Sequence, residues 1–418
     1  MSTTYKLRTL TLITLCITVF WGTFGLDMTL NPGELRLPVH RLFILLTSII
    51  FLFNAQEVIN ICKSNKSLVL IISYTLISAI WAGNPTETLK SFTFLSSCML
   101  ISILSVLAFN DNKLKLIRWL FWLFSLMTLG SILIALLHPE YGINTRSFSK
   151  PRWIGITAHP NGLGAESSIL IWLAVNLFFL SKNKLEKLII TVSIASAFFT
   201  IIKADSMTSL ISSFVLIILT WYYYYLDRLN STFKILLLVI TVFSAIILTT
   251  FYIGIDEIIN TAFQSAGRST HFSGRTRLWS IGLKALSDNF ILGYGFDNLE
   301  LLTRKYHLEM SHLHNGYLEL VLKGGLISAI FLIIILLKTY FNLLKIKVFD
   351  KPDFIFLNTG FIMILLHNFT ESSILKGIDP LNIFLLYILI SSTLISKKTA
   401  TINLTNNYNI KPLVNYGK

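Results

Sequence analysis

Apolar residues run in blocks of 16 to 22 along most of the chain, separated by short polar turns. About 20 apolar residues cross a bilayer as one helix. The blocks therefore predict twelve spans, near 9–26, 38–54, 67–82, 92–109, 116–137, 164–181, 188–202, 208–225, 235–254, 313–337, 354–370 and 380–396. The block at 9–26 has no small-residue cleavage site behind it and many blocks after it, so it reads as a first span rather than a secretory leader. The expected fold is an all-α integral membrane protein of about 12 transmembrane helices with a large, partly helical periplasmic loop. Residues 1–254 hold helices one to nine, 255–312 the large loop and 313–398 helices ten to twelve. The Asn-rich stretch 399–418 is expected to be a disordered cytoplasmic tail.

Composition agrees with this pattern: the 418 residues are 54% hydrophobic and 13% charged, with a mean hydropathy of +0.68. The formal charge of +14 does not point to nucleic acid, because the basic residues lie in short loops and form no single stripe. With the N-terminus inside, 20 of the 35 Lys and Arg residues fall in seven short inner segments. The outer short loops are poor in them, so both termini are expected in the cytoplasm of a bacterial inner-membrane protein. Cys16, Cys62 and Cys98 are far apart and form no C-x-x-C, which suggests neither a disulfide framework nor a metal site.

Two outer segments are too long to be simple turns, 138–163 and 255–312. The second carries Leu278, Trp279, Leu283 and Leu286 at helical spacing, with Asn289, Gly293 and Gly295 as turn signals, and reads as short amphipathic helices on the outer membrane surface. Both segments hold basic residues on the side that topology disfavours, among them Arg146, Arg152, Arg268, Arg275 and Arg277. An anionic ligand would explain them; so would salt bridges or lipid headgroups.

Three constellations bear on chemistry. The first runs from His312 to Ser328 and enters the tenth span. At 100° per residue, His314, Leu318, Val321, Gly325 and Ser328 fall within about 40° of one direction, which sets the imidazole at the outer mouth of a face of small residues. Asn315, Glu319 and Lys323 form a polar stripe at i, i+4 spacing, open to a structural pairing or a site role. The second is Ser273-Gly-Arg-Thr-Arg-Leu-Trp279, which places Arg275 in the first turn of a helix, where a guanidinium fork and backbone N–H groups favour a phosphate. The third is Ala158-His-Pro-Asn-Gly-Leu-Gly164, a turn into the sixth span followed by Glu166. No phosphate-binding loop, H-E-x-x-H, G-x-S-x-G or Asp-rich metal motif is present. A sugar donor would carry its own activated leaving group, and no cofactor is expected.

The combination of S-G-R-T-x-L-W in a large outer loop with H-x-H-N-G-Y-L-E-L, and a glycine eleven residues after the second histidine, resembles the O-antigen ligase and polymerase family of membrane glycosyltransferases, which are GT-C-like. The resemblance implies transfer of a glycan from an undecaprenyl diphosphate carrier to a saccharide acceptor on the periplasmic face, without metal and with inversion. It implies that His314 is the general base and that Arg275 holds the diphosphate, with Asn315 and Gly325 matching the rest of the motif; Arg277, His312, Arg152 and Glu319 join Asn315 as expected substrate-binding residues. The family's cation in a Ser-x-Thr stretch is absent here, where Met207 stands, and Lys203 one turn earlier is the candidate replacement. The expected activity is a surface-polysaccharide polymerase, with a ligase acting on lipid A core as the alternative. A lipid-linked glycan flippase would instead place its polar site at the bilayer midplane within two matching halves.

Overall fold

A computed structural model describes residues 7–16, 36–145, 150–225, 274–297, 299, 302, 304–305 and 313–409. The fold is all-α apart from one two-residue strand pair. In chain order the helices are α1 (Leu7–Cys16), α2 (Arg36–Phe53), α3 (Ala55–Ser64), α4 (Lys66–Ile77), α5 (Pro85–Phe109), α6 (Lys113–Leu137) and the single turn α7 (Pro139–Gly142). They continue with α8 (Pro160–Leu180), α9 (Lys184–Lys203), α10 (Met207–Tyr225), α11 (Gly274–Asp288), α12 (Gly316–Phe349), α13 (Lys351–His367) and α14 (Pro380–Asn409).

Among the described residues, seven helices are long and apolar enough to cross a membrane: α5, α6, α8, α9, α10, α12 and the 380–398 part of α14. An eighth is reached if α2 and α3, bent by 95°, count as one span. This is an integral membrane bundle, but twelve spans are not reached. Helix α4 is short, α13 has 17 residues, and the expected spans at 9–26 and 235–254 lie partly and wholly outside the described residues. The last helix also differs from expectation. It runs on through 399–409, a stretch with no Gly or Pro to stop it, where a disordered tail was expected.

Helix starts follow local chemistry. Asn84, Asn112, Asn183, Asn315 and Asp350 each turn a side-chain oxygen onto a first-turn N–H, which satisfies donors that the helix itself cannot. The interior is built around α8, where Ile169 to Ala174 are fully buried. Trp172 stacks on Phe356 with ring centroids 4.4 Å apart and donates from Nε1 to the Phe356 carbonyl at 3.0 Å. The rim is apolar outward, with Leu185, Leu188 and Val192 on α9 and Ile330, Ile333 and Leu337 on α12 exposed, as lipid-facing helices require.

Helix α12 is broken at Gly325, whose φ of 60° and ψ of −159° no helix contains. Freed backbone groups inside a membrane cost several kcal/mol each, and segment 290–295 takes them up. Tyr294 and Gly295 donate to the carbonyls of Leu322 and Lys323, both at 2.8 Å, while the amides of Leu326 and Ile327 donate to Phe290 and Ile291 at 2.8 and 3.4 Å. The Tyr74 hydroxyl serves the Gly324 carbonyl at 3.2 Å. Gly325 is therefore not one small position on a continuous face: a Cβ there would lie 2.1 Å from the Ile291 carbonyl oxygen.

Candidate active site

The half-helix Gly316–Gly324 begins beside the loop that follows α13. Asn315 caps it, accepting from the Leu318 amide at 2.9 Å, and its Nδ2 donates to the Phe369 carbonyl at 3.2 Å. The Gly316 amide donates to the carbonyls of Asn368 and Glu371 at 2.9 and 3.0 Å. Asn368 shapes that loop from inside, accepting from the amides of Ser373 and Ile374 at 2.8 and 3.0 Å. This zippering holds His314 at a φ of 50°, a left-handed backbone that a non-glycine residue keeps only when its surroundings enforce it. His314 therefore precedes the helix. It does not ride on the helical face expected from the sequence.

The imidazole faces a carboxylate that sequence reasoning missed, with Nδ1 of His314 lying 3.2 Å from Oε2 of Glu371. Oε1 of the same carboxylate accepts from Nη2 of Arg275 at 2.8 Å and from Nδ2 of Asn161. The side chains of Glu371 and His314 are 12% and 14% exposed, and that of Arg275 is 28% exposed, so the cluster is sheltered yet reachable. Burial alone would raise the Glu371 carboxyl, but the hydrogen bond from His314 and the charges of Arg275 and His314 outweigh it and hold it at about 2. Glu371 is thus an acceptor only. The proton shared with His314 belongs to Nδ1, which leaves Nε2 as the basic ring nitrogen.

Asn161 extends the cluster. Its Oδ1 accepts from Nη2 of Arg152 at 3.0 Å, and Arg152 also donates to the carbonyls of Ala204 and Asp205 at 2.8 and 2.9 Å. Arg152 is placed by the strand pair in which β2 (Arg152–Trp153) runs antiparallel to β1 (Ile143–Asn144). His159 caps α8 at the same corner, accepting from the Asn161 amide at 3.2 Å. Although one edge of its ring stays exposed, loss of solvent on the packed side pushes its pKa down to about 4, with Glu371 opposing and Arg152 adding. It is neutral near pH 7, and cations from three segments act on this corner, Arg152 and Lys376 on His159 and Arg275 on Glu371. That arrangement suits an anionic ligand.

The remaining expected residues take different places. Glu319, 5% exposed, accepts from Lys323 at 2.8 Å and from the Leu313 amide at 3.5 Å, so it props the backbone just before His314. Lys203 ends α9 with its ammonium 5.9 Å from the Trp153 ring and 5.7 Å from the Phe199 ring. No hydrogen bond ties it to the cluster among the described residues, and the turn at Ala204–Asp205 is occupied by Arg152. His312 and the side chain of Arg277 lie outside the described residues. Arg275 itself is carried by α11, the amphipathic helix expected in the large loop. That helix buries Leu278 and Ala285 with Tyr294, Leu313 and Leu322, and Trp279 Nε1 donates to the Leu313 carbonyl at 2.9 Å.

The structure is thus that of a multi-pass membrane protein with a His–Glu–Arg cluster at one end of its bundle. Two comparisons make it particular. Residues 191–333 match the O-antigen ligase family. The chain is also 24% identical over 304 residues, 69% of its own length and 68% of the relative's, to the exopolysaccharide production protein ExoQ of Rhizobium meliloti (strain 1021). Both likenesses are to proteins of polysaccharide ligation or production.

Proposed function

We propose that this protein is a polymerase of a surface polysaccharide, moving a glycan from an undecaprenyl diphosphate carrier to an acceptor sugar on the periplasmic face. The observation that carries the reading is the His314–Glu371–Arg275 cluster. In the reaction, the acceptor hydroxyl oxygen bonds to the anomeric carbon and its proton passes to Nε2 of His314. The carbon–oxygen bond to the diphosphate breaks, its electron pair leaves with the diphosphate, and attack from the opposite face inverts the anomeric carbon. Glu371 holds the imidazole in the basic tautomer and stabilises the imidazolium that forms. Arg275 and Arg152 offset the charge growing on the diphosphate, and preorganised cations of this kind need no metal ion to do so. Asn161, gripped by Arg152 and Glu371 together, fixes the distance between the two charged ends of the site.

The likeness to an exopolysaccharide production protein suits the polymerase reading and the ligase family match suits the alternative, transfer of glycan to lipid A core; in both readings the donor chemistry is the same. The test is the surface polysaccharide profile of cells lacking the gene, complemented with wild type or His314→Ala. Core bearing a single repeat unit identifies a polymerase, and core without any repeat together with accumulated carrier-linked polymer identifies a ligase. In either case His314→Ala should be present in the membrane and inactive. An unchanged profile in the deletion strain would refute the proposal.

A further inference from the structure

At the far end of the bundle from His314, a half-open cavity of about 630 Å³ lies among the ends of α5 and α12, the starts of α6 and α13, and the in-plane helix α3. That volume is typical of ligand sites. The large angle between α2 and α3, the buried Val58 and Ile61, and the exposed Glu57 and Asn60 set α3 at the level where the spanning helices end, the membrane–water boundary.

The lining is graded along the helices. On α5, Val106 and Leu107 precede Asn110; on α14, Leu394 and Ile395 precede Lys398; at the end of α12, Phe349 precedes Asp350. Each apolar residue thus lies nearer the middle of the bundle than the polar residue that follows it. Such a cavity is apolar toward the membrane interior and charged toward water, which is the profile of an amphiphile and not of a soluble ion.

The charges narrow the headgroup. The walls carry the carboxylates Glu57, Asp350 and Asp353 against the ammonium groups of Lys113 and Lys398. Lys113 and Asp353 pair with each other, and Asp350 spends one oxygen on the Asp353 amide at 3.0 Å. Glu57 and Lys398 make no hydrogen bond or ion pair among the described residues. A headgroup with anionic charge alone would meet an excess of carboxylates. One with a primary ammonium and a phosphodiester meets both signs, the ammonium toward Glu57 and Asp350, the phosphate toward Lys398 and the Asn110 amide.

We infer that this cavity binds one aminophospholipid, a lipid whose headgroup joins a primary ammonium to a phosphodiester, at the membrane face opposite the active site. The inference is independent of the proposed reaction. Its test is native mass spectrometry of the purified full chain in nanodiscs of equal parts phosphatidylethanolamine, phosphatidylglycerol and phosphatidylcholine. The expected result is one retained phosphatidylethanolamine, with Glu57→Gln and Lys398→Gln each lowering its retention about fivefold, the upper end of what one exposed ion pair contributes. Lys398→Arg should keep it. Both positions are exposed, so neither variant threatens folding, and unchanged melting temperatures will verify that. Phosphatidylglycerol or phosphatidylcholine retained as well as phosphatidylethanolamine, retention unaltered in both variants, or displacement by water-soluble glycerophosphoethanolamine would each overturn the inference.

Discussion

Replacing Glu371 with Gln keeps the shape of the side chain and removes its charge, and it probes the centre of the proposed chemistry. The carboxyl is held at about 2 against an ordinary value of 4.5, a preference for the charged form on the order of 3 kcal/mol. With its side chain 12% exposed, little of that is lost to solvent screening. Because the folded-state value is depressed, this stabilisation is present above the unfolded value of 4.5 and disappears as pH falls toward 2. At neutral pH, Glu371→Gln should therefore destabilise the purified protein by about 2–4 kcal/mol, much of it from Arg275 losing its anionic partner. The rate effect should be larger. A glutamine can present N–H to Nδ1 of His314, which moves the ring proton to Nε2 and removes the base, so single-turnover transfer should fall about 10²–10⁴-fold. Glu371→Asp keeps the charge but withdraws it by one methylene, about 1.5 Å, and should sit between wild type and Glu371→Gln. The assay is transfer from a labelled lipid-linked glycan by protein in liposomes, with thermal melting measured on the same samples. A Glu371→Gln protein that transfers within about threefold of wild type would refute the base assignment, whatever its stability.

Three further changes test other parts of the site. Arg275→Lys keeps the charge but not the planar fork, and should lower kcat about 10–100-fold with little change in melting temperature; full activity would reduce Arg275 to an anchor of α11. His159→Asn retains the cap on α8 and removes a ring whose pKa is held at about 4 below an unfolded value near 6.5. Wild type then loses stability as pH falls from 6.5 to 4, so the variant should gain on it by about 1 kcal/mol over that window, after allowance for the ring's exposure. Asp379, pushed up to about 6 chiefly by burial, acts in the opposite sense in both proteins. The difference between two melting curves is therefore the proper readout, and a difference flat with pH would count against the cited environment of His159. Gly325→Ala brings a Cβ to 2.1 Å from the Ile291 carbonyl oxygen at a positive φ, and should cost more than about 3 kcal/mol and most of the folded yield. Gly130→Ala on α6, where the nearest atom lies 3.9 Å away, is its control; equal yields on fluorescence-detected size exclusion would show that the break in α12 is dispensable.

The helices were legible in the sequence wherever an apolar run was long and unbroken, as for α6, α9 and α10. Their starts were less so. Helix α5 begins at Pro85 and α8 at Pro160, seven and four residues before the apolar windows open at 92 and 164, because capping residues and a polar first turn extend a helix beyond its hydrophobic stretch. The break in α12 was invisible for another reason: Gly324-Gly325 reads equally well as a close-packed helical face, and only the segment 290–295, some thirty residues upstream, makes it a turn. Residue chemistry and motif singled out His314 and Arg275, which the fold brings to one carboxylate. Glu371 escaped because carboxylates in the outer loops were sought only as metal-binding clusters, and it lies 57 residues from His314 and 96 from Arg275 along the chain. A lone carboxylate in an outer turn, on the same face as the histidine, was the available signal.

The broken helix also explains how three polar side chains from distant segments hold one geometry at one end of the bundle. A continuous α12 would offer its neighbours side chains only, and side-chain packing between lipid-embedded helices supplies little orientation beyond close contact. At Gly325 the backbone itself becomes available, and segment 290–295 binds it through four amide–carbonyl bonds at 2.8 to 3.4 Å. That segment follows α11, which carries Arg275, so the arginine is tied to the half-helix Gly316–Gly324. At the other end of the same half-helix, the Gly316 amide ties it to Asn368 and Glu371. His314 therefore sits on a short rigid piece bonded through its backbone both to the helix bearing its arginine and to the loop bearing its carboxylate. Each such bond left unmade in a dry interior costs on the order of 1–3 kcal/mol, so displacing Arg275 from His314 requires breaking several at once. On this argument the cluster is preorganised before substrate arrives, and the amides of Leu326 and Ile327 fasten the half of α12 beyond Gly325 to the same segment 290–295.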